Sequence, residues 1–237
     1  MAGPDGRLQA IVLAGGLGTR LRGVVPDLPK AMAAVAGRPF LEILLDGLAA
    51  KGCGRVVLSL GYLAHKISGH FGAAYAGLQL DYVVEDHPLG TGGALRLALE
   101  RCDADHVYVF NGDTYLDLEM AAVERLWLAN RRPIIVGRAV PDTARYGRLQ
   151  LDAAQRRVLG FSEKGAAGPG VINVGCYVMR RGQLDGHAPG SAFSLEVDYL
   201  AGAVRSEPFD VFVTAGHFID IGVPEDYARA QIELAAR

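Results

Sequence analysis

The sequence predicts an α/β fold in which a mostly parallel central sheet is covered by helices on both faces. In the first half of the chain, short apolar runs alternate with stretches that carry apolar residues at helical spacing. Such a repeat of strand, helix and strand places parallel strands between two helical layers. Half of the 237 residues are apolar, enough to bury a full core.

The first half supplies the candidate elements of the parallel sheet. The candidate strands are apolar runs at 9–13, 55–60, 78–84, 106–110 and 134–140. The segments between them repeat apolar residues every three or four positions, at 39–51, 63–71, 93–101 and 118–130. Because the carboxyl ends of parallel strands meet at one edge, we expect the loops after these strands to form a ligand site there.

The pattern changes after Pro141, where the strand-like pieces become shorter. They lie at 147–151, 158–162, 172–179 and 211–214, with candidate helices at 194–204 and 225–235. No linker rich in Pro, Gly or Ser separates this half from the first. We therefore expect one domain over residues 1–237.

Composition and charge exclude several classes of function. A net charge of −2 gives no basic field, so the sequence predicts neither a nucleic-acid partner nor an anionic membrane partner. No apolar run has membrane-spanning length, and residues 1–7 lack the apolar core of a signal peptide, so we expect a cytoplasmic location. The three cysteines are far apart, which predicts reduced thiols and no zinc site.

The segment after the first candidate strand has the character of a polyphosphate-binding loop. Its glycines allow tight turns and let backbone N–H groups approach phosphate oxygens. Arg20 and Lys30 add cations that form charge-assisted hydrogen bonds. The residues that we expect to bind the nucleotide here are Leu13, Ala14, Gly15, Gly16, Gly18, Thr19 and Arg20.

Two commoner phosphate loops do not fit this segment. A Walker loop requires Gly-Lys followed by Ser or Thr, and the chain contains no such tripeptide. The dinucleotide pattern can start at Gly16 and Gly18, but Leu21 stands at its third position, where close helix packing needs a small residue. An NAD(P) oxidoreductase is therefore disfavoured.

Motifs along nearly the whole chain resemble the sugar-1-phosphate nucleotidylyltransferases. The first is the glycine-rich segment at 15–21 followed by Pro29-Lys30. Later motifs arrive in the order that this family shows: Leu89-Gly90-Thr91-Gly92-Gly93-Ala94, Asn111-Gly112-Asp113-Thr114, Glu163-Lys164, Asn173-Val174-Gly175 and Asp220-Ile221-Gly222. One motif alone would be weak, whereas five in sequence are specific.

The resemblance implies a fold and a reaction. The fold would be a Rossmann-like three-layer sandwich of the nucleotide-diphospho-sugar transferase type, in which about 1–140 bind the nucleotide and about 141–237 form the sugar pocket. The reaction would join a nucleoside triphosphate and a sugar 1-phosphate into a nucleotide sugar and release pyrophosphate. Arg20, Lys30, Asp113 and Lys164 would be the catalytic residues. The family's habit also suggests a homodimer.

Two aspartates are candidate Mg²⁺ ligands. Asp113 follows a glycine at the end of an apolar strand, where a carboxylate can hold a hard cation that bridges phosphate oxygens. Taken alone, Asn-Gly-Asp is equally typical of a turn. The resemblance makes Asp220 the second ligand, and it lies too far before Pro224 to serve as a helix cap.

The remaining candidate residues follow from the resemblance. Lys164 offers a compact cation to the sugar phosphate, although adjacent opposite charges such as Glu163-Lys164 are also common at surface turns. Residues expected at the sugar phosphate and sugar are Glu163, Lys164, Asn173, Gly175 and Glu196. Residues expected at the base and ribose, besides the first loop, are Glu85, Gly90, Thr91, Gly92 and Gly112.

The form of two motifs narrows the resemblance. Gly92-Gly93-Ala94 and the segment at 37–41 look most like guanylyltransferases that act on D-glycero-α-D-manno-heptose 1-phosphate, with GTP as the donor. These enzymes feed capsule or surface polysaccharide synthesis. Mannose 1-phosphate guanylyltransferases and N-acetylmuramate 1-phosphate uridylyltransferases share much of the pattern. Some relatives are regulatory subunits that bind nucleotide sugars without catalysis, which the presence of Arg20, Lys30, Asp113 and Asp220 disfavours.

Overall fold

The computed structural model describes residues 7–16, 18, 21, 27–162 and 167–235. Its α-helices are α1 (Phe40–Ala50), α2 (Ala64–Phe71), α3 (Gly90–Leu99), α4 (Met120–Asn130), α5 (Ala201–Ser206) and α6 (Pro224–Glu233). A 3₁₀ turn spans Lys30–Met32 and a π-helix spans Leu195–Leu200. The strands are β1 (Leu8–Leu13), β2 (Ala34–Val35), β3 (Arg38–Pro39), β4 (Cys53–Leu60), β5 (Ala74–Tyr75), β6 (Leu78–Val84), β7 (His106–Asn111), β8 (Thr114–Leu116), β9 (Ile134–Val140), β10 (Arg148–Leu151), β11 (Arg157–Ser162), β12 (Gly170–Arg180), β13 (Phe209–Thr214) and β14 (Phe218–Asp220).

One ten-stranded sheet runs through both halves of the chain, in the order β10-β11-β13-β9-β12-β7-β1-β4-β6-β5. Parallel pairing joins β7, β1, β4 and β6, as the alternation of strands and helices predicts. However, β12 lies antiparallel between β7 and β9, and β10 and β11 are antiparallel as well. Parallel pairing also joins β9 and β13, so the sheet is mixed, with parallel and antiparallel neighbours. Short connections such as the one between β10 and β11 allow only antiparallel neighbours, because a parallel pair needs a long crossover.

The two faces of the sheet are both buried. Along β1, Ala10 and Val12 pack into one core cluster, whereas Ile11 between them packs into the other. The same alternation holds in β7, where Tyr108 and Phe110 oppose Val109. The first cluster includes residues of α1, α2, α4 and α6, and the second includes residues of α3 and α5. Successive strand side chains thus point to opposite helical layers.

Two further features of the sequence can be placed on this fold. Cys53, Cys102 and Cys176 are free thiols, and all three are buried in the core. In the part of the chain that the structure describes, no helix is both long enough and apolar enough to cross a bilayer.

Candidate active site

A cleft of about 530 Å³ opens at the carboxyl ends of β1, β4, β6 and β7. This is the edge at which the alternating pattern predicts a ligand site. Backbone hydrogen bonds fix its floor, since Ala14 N donates to Ser59 O over 2.8 Å and Gly112 N donates to Leu13 O over 2.8 Å. Lining residues from the sequence-predicted set are Leu13, Ala14, Gly15, Gly16, Lys30, Glu85, Gly90, Thr91, Gly112 and Asp113.

Gly15 is required by close packing in the cleft wall. A Cβ on this residue would lie 2.8 Å from Glu85 Oε1 and 3.3 Å from the backbone N of Gly61. Gly18 has a φ of +59°, and a Cβ there would lie 3.1 Å from Lys30 Cβ. Both glycines therefore meet a steric or backbone requirement that a larger residue would violate.

Four predicted site residues lie outside the described residues. Thr19 and Arg20 belong to the first loop, and Glu163 and Lys164 belong to the segment after β11. Among their described neighbours, Gly18 O accepts a hydrogen bond from Leu21 N over 3.0 Å. The roles of these four residues stay predictions.

Lys30, Asp113 and Asp220 form the charged part of the site. Lys30 Nζ lies 2.5 Å from Asp113 Oδ2. The strand pair β8–β14 sets Asp220 opposite Thr114, and Ile221 N donates to Asp113 O over 3.0 Å. Burial and the negative charge of Asp113 raise the pKa of Asp220, while the Lys30 ammonium opposes this effect. The two predicted metal ligands, far apart in sequence, are therefore electrostatically coupled.

The donor set of this site fits Mg²⁺ bound with a substrate. No group of three His, Cys, Asp or Glu side chains that could hold a metal occurs among the described residues. Mg²⁺ in phosphate-transferring sites takes one or two carboxylates and completes its shell with waters and phosphate oxygens. Asp113 and Asp220 supply that number of carboxylates, and Gly222 N donates to Asp220 Oδ1 over 2.7 Å to orient one of them.

Gly92 packs directly against Phe193. Its N–H donates to Phe193 O over 2.9 Å, and a Cβ on Gly92 would lie 2.2 Å from Phe193 Cε2. The residue is thus small because the Phe193 ring packs against it. Gly90 and Thr91 do line the cleft, and Glu85 Oε2 accepts from Leu89 N over 2.9 Å at the start of α3. The expectation that Gly92 touches the nucleotide stays a prediction.

The predicted sugar residues form a hydrogen-bonded group next to the cleft. Asn173 Nδ2 donates to Tyr177 Oη over 2.9 Å, and Tyr177 Oη donates to Glu196 Oε1 over 3.1 Å. Gly175 has a φ of +69° and abuts Asn111, whose Nδ2 would be 2.2 Å from an added Cβ. A register irregularity in β12 between Asn173 and Tyr177 produces this local shape. The structure therefore brings Asn173, Gly175 and Glu196 together with residues that line the cleft.

Sequence reasoning missed Tyr177 and Phe193. Tyr177 stands in an apolar strand, where an aromatic residue is typical of the core, and it is indeed 1% exposed. Phe193 precedes the π-helix and shows no motif. The sequence offered one signal for Tyr177. The polar residue Asn173 lies four positions earlier, and residues at even spacing on a strand lie on the same face.

Comparisons with known proteins identify the family to which the chain belongs. Residues 9–237 match the nucleotidyl transferase family. The chain is 35% identical over 228 residues to D-glycero-alpha-D-manno-heptose 1-phosphate guanylyltransferase of Aneurinibacillus thermoaerophilus, covering 96% of this chain and 98% of that protein. It is also 35% identical to mannose-1-phosphate guanylyltransferase of Mycobacterium tuberculosis, over 96% of this chain and 65% of that protein.

A solved structure shows the same architecture. HddC from Yersinia pseudotuberculosis superposes with a TM-score of 0.86 and is 37% identical, covering 96% of this chain and 99% of that one. The same protein has also been solved in complex with GMP-PN. The family match extends over almost the entire chain and includes each strand and loop that forms the cleft. The chain therefore belongs to the nucleotidyl transferase family of enzymes.

Proposed function

We propose that this protein transfers GMP from GTP to D-glycero-α-D-manno-heptose 1-phosphate, giving GDP-heptose and pyrophosphate. The observation that carries the proposal is the group of Lys30, Asp113 and Asp220 beside the glycine-lined cleft. Full-length similarity to heptose 1-phosphate guanylyltransferases supports the choice of sugar. The solved complex of HddC with GMP-PN supports the choice of base.

The reaction needs positioning and charge stabilisation more than it needs a protein nucleophile. A phosphate oxygen of the sugar 1-phosphate attacks the α-phosphorus of GTP, and the bond from that phosphorus to the bridging oxygen breaks as pyrophosphate leaves. Lys30 binds phosphate oxygens when the nucleotide enters, which requires exchange of its contact with Asp113. Arg20 and Lys164 are the further cations that we expect to hold the two phosphates in line.

We assign Mg²⁺ to Asp113 and Asp220. When bound, the ion neutralises negative charge on the phosphate oxygens. The two carboxylates hold the ion, and the N–H of Gly222 keeps the Asp220 carboxyl oriented. The pKa of Asp220 is raised by burial and by the charge of Asp113, and a bound cation would offset this repulsion between the two carboxylates.

Glu85 is the residue that we assign to guanine selection. Its carboxylate is in the cleft wall between Gly15 and Gly61, where an added Cβ would lie 2.8 Å or 2.7 Å from Oε1. A carboxylate only accepts hydrogen bonds, and the N1–H and N2–H₂ groups of guanine are adjacent donors. Adenine and uracil present an acceptor within the same edge, which a carboxylate repels.

The substitution Glu85→Gln tests this assignment. We expect kcat/KM for GTP to fall by about tenfold or more, because the amide NH₂ replaces one acceptor with a donor. The amide oxygen can still accept from Leu89 N, so the start of α3 is preserved. The control is Asp185→Asn on the exposed surface, which should leave kcat/KM unchanged. An E85Q enzyme with unaltered preference for GTP over ATP and UTP would contradict the role.

A second candidate is mannose 1-phosphate guanylyl transfer. It is favoured by the similarity to the mycobacterial mannose-1-phosphate guanylyltransferase. Two heptose 1-phosphate guanylyltransferases match the chain over 96% and 93% of its length at the same 35% identity, which favours the heptose substrate. N-acetylmuramate 1-phosphate uridylyl transfer would require Glu85 to accept uracil, so it ranks lower.

Pyrophosphate release with GTP and Mg²⁺ tests the proposed reaction against different acceptors. The acceptors are heptose, mannose, glucose and N-acetylmuramate 1-phosphates. We expect the heptose 1-phosphate to give the highest kcat/KM and Asp113→Ala to abolish turnover while the fold persists. Highest turnover with mannose 1-phosphate would replace the sugar, and tight binding of nucleotide sugars without turnover would indicate a regulatory subunit.

The biological setting belongs to the same proposal. A GDP-heptose product would serve capsule or surface polysaccharide synthesis. We assign the protein to the cytoplasm, where nucleoside triphosphates are available, and expect a homodimer from the family's habit.

A further inference from the structure

Thr91 lines the cleft, but its hydroxyl forms hydrogen bonds with the segment that carries the predicted sugar residue Glu196. Thr91 Oγ1 accepts from Leu195 N over 2.9 Å and donates to Glu196 Oε2 over 2.9 Å. A hydroxyl has one proton to donate. While it donates to Glu196, Thr91 therefore cannot donate a hydrogen bond to the nucleotide.

The other oxygen of the same carboxylate is held by Tyr177. Tyr177 Oη donates to Glu196 Oε1 over 3.1 Å from a side chain that is 1% exposed. Burial and the nearby Glu196 charge raise the pKa of Tyr177 well above its ordinary value, so the phenol keeps its proton. Each carboxylate oxygen of Glu196 thereby accepts a hydrogen bond from a hydroxyl, one from α3 and the other from β12.

The donor that completes this group is oriented by the backbone. Gly175 N donates to Asn173 Oδ1 over 3.0 Å, which leaves Asn173 Nδ2 to donate to Tyr177 Oη over 2.9 Å. Each hydrogen bond in the sequence from Gly175 through Asn173, Tyr177 and Glu196 to Thr91 thus has a defined direction.

Besides the bond from Leu195 N to Thr91 Oγ1, the segment that carries Glu196 is anchored by contacts that do not involve Thr91, Tyr177 or Asn173. Phe193 N donates to Leu89 O over 2.9 Å, and Phe193 O accepts from Gly92 N over 2.9 Å. Ser194 N donates to Asp198 Oδ2 over 2.7 Å, while Ser194 Oγ accepts from Val197 N over 3.2 Å. This reciprocal capping fixes the start of the π-helix. Loss of the Thr91 hydroxyl should therefore alter the Glu196 carboxylate more than the backbone.

We propose that Thr91 and Tyr177 are positioning residues for the acceptor sugar, which they serve by fixing the Glu196 carboxylate in one orientation. The inference rests on the proposed function and on the expected place of Glu196 at the acceptor sugar, where its carboxylate would accept hydrogen bonds from sugar hydroxyls. Preorganised acceptors bind a polyol more tightly than mobile ones, because less side-chain entropy is lost on binding. Thr91 thus acts on the sugar, in contrast to its place in the nucleotide loop.

The substitutions Thr91→Val and Thr91→Ser form a matched pair that tests the proposal. Valine keeps the shape but removes the hydroxyl, whereas serine keeps the hydroxyl. We expect T91V to raise the KM of the sugar 1-phosphate about tenfold and to leave the KM of GTP within about twofold. T91S should restore the sugar KM. A thermal melt of each variant separates loss of folding from loss of positioning.

Tyr177→Phe provides a second, independent test of the hydrogen bonds to Glu196. It should raise the KM of the sugar 1-phosphate in the same selective way. Because both hydroxyls act on one carboxylate, the double variant T91V/Y177F should raise that KM by less than the product of the single effects.

Several results would overturn the inference. One is a rise in the KM of GTP with T91V while the sugar KM is unchanged, and another is a failure of T91S to restore the sugar KM. The third is independent, multiplicative effects in the double variant. Wild-type turnover is measured first. If the wild type turns over no pair of nucleotide and sugar 1-phosphate, the proposed function and this inference both fail. If the wild type is active and T91V has an unaltered KM for the sugar 1-phosphate, only the inference fails.

Discussion

At the scale of single residues, the main feature of the site is the pair of carboxylates to which we assign Mg²⁺, Asp113 and Asp220. The sequence predicts both as ligands, and the structure couples them through charge and through the backbone bond from Ile221 N to Asp113 O. The role of Thr91 could not be predicted in this way. Its hydroxyl meets a carboxylate 105 residues further along the chain, and no local pattern reports such a contact.

Asp220→Asn should separate activity from stability. The pKa of Asp220 is raised, so at neutral pH the folded protein bears the cost of a buried charge beside Asp113. Asparagine removes that charge and keeps an oxygen for the N–H of Gly222. We expect Mg²⁺-dependent turnover to fall at least about 100-fold, and the free energy of unfolding to rise by at most about 1 kcal/mol.

Urea unfolding at pH 7 and steady-state kinetics measure the two effects of D220N. The matched control is Asp185→Asn, whose parent side chain is 69% exposed and which should change neither quantity. A D220N protein with near wild-type turnover would remove Asp220 from the metal site.

At the scale of elements, the length and burial of a strand decide whether the sequence can predict it. Long strands of the first half are recognisable as single apolar runs, and the structure places β4, β6 and β7 within two residues of the predicted bounds. Three-residue strands such as β14 are too short for any period, so its pairing with β8 was not foreseen. The antiparallel insertion of β12 was missed because an apolar strand buried on both faces looks the same in either direction.

The register irregularity in β12 can be tested with a pair of glycine substitutions. Gly175→Ala places a Cβ at a φ of +69° and 2.2 Å from Asn111 Nδ2, so we expect the free energy of unfolding to fall by about 1–3 kcal/mol. Gly202→Ala, in α5, meets nothing within 4 Å and should raise it by about 0.5–1 kcal/mol. Chemical denaturation of both variants measures these opposite signs.

The G175A enzyme should also lose activity, because Asn111 lines the cleft. A G175A protein as stable and as active as wild type would show that the register irregularity in β12 accommodates a side chain and has no part in shaping the site.

At the scale of the whole molecule, the two ends of the parallel strands carry different groups of residues. The cleft lies at the carboxyl ends of the parallel strands, whereas His106 begins β7 at the other edge. There His106 contacts Asp105 at 2.8 Å and Glu124 at 2.9 Å and stacks on Trp127. The alternation of strands and helices in the sequence predicted which end of the strands holds the site. It did not predict the contacts of His106, because the partners Glu124 and Trp127 belong to a separate element.

Glu124→Gln should reduce the stability of the protein in a pH-dependent way. Burial alone would raise the pKa of Glu124, but hydrogen bonds and charge from His106, together with the hydroxyl of Tyr108, hold it below the ordinary value of 4.5. The carboxylate therefore contributes stability above pH 4.5, and this contribution is lost as the pH falls through the lower pKa of the folded state.

Unfolding in urea at pH 7 and at steps down to about pH 3.5 measures the effect of E124Q. We expect the difference in unfolding free energy between wild type and E124Q to be largest at pH 7 and to shrink below pH 4.5. Turnover at pH 7 should be unchanged, since Glu124 is remote from the cleft. A constant difference across the range would contradict the assignment of the pKa shift.

The most direct test of the proposed activity is a competition among nucleotides. Wild-type protein is incubated with equimolar GTP, ATP, UTP and CTP, heptose 1-phosphate and Mg²⁺, and the products are identified by mass spectrometry. We expect GDP-heptose and pyrophosphate to form with the wild-type protein, and neither to form with Asp113→Ala. Accumulation of another nucleotide sugar, or of none while the protein binds GDP-heptose tightly, would contradict the proposed activity.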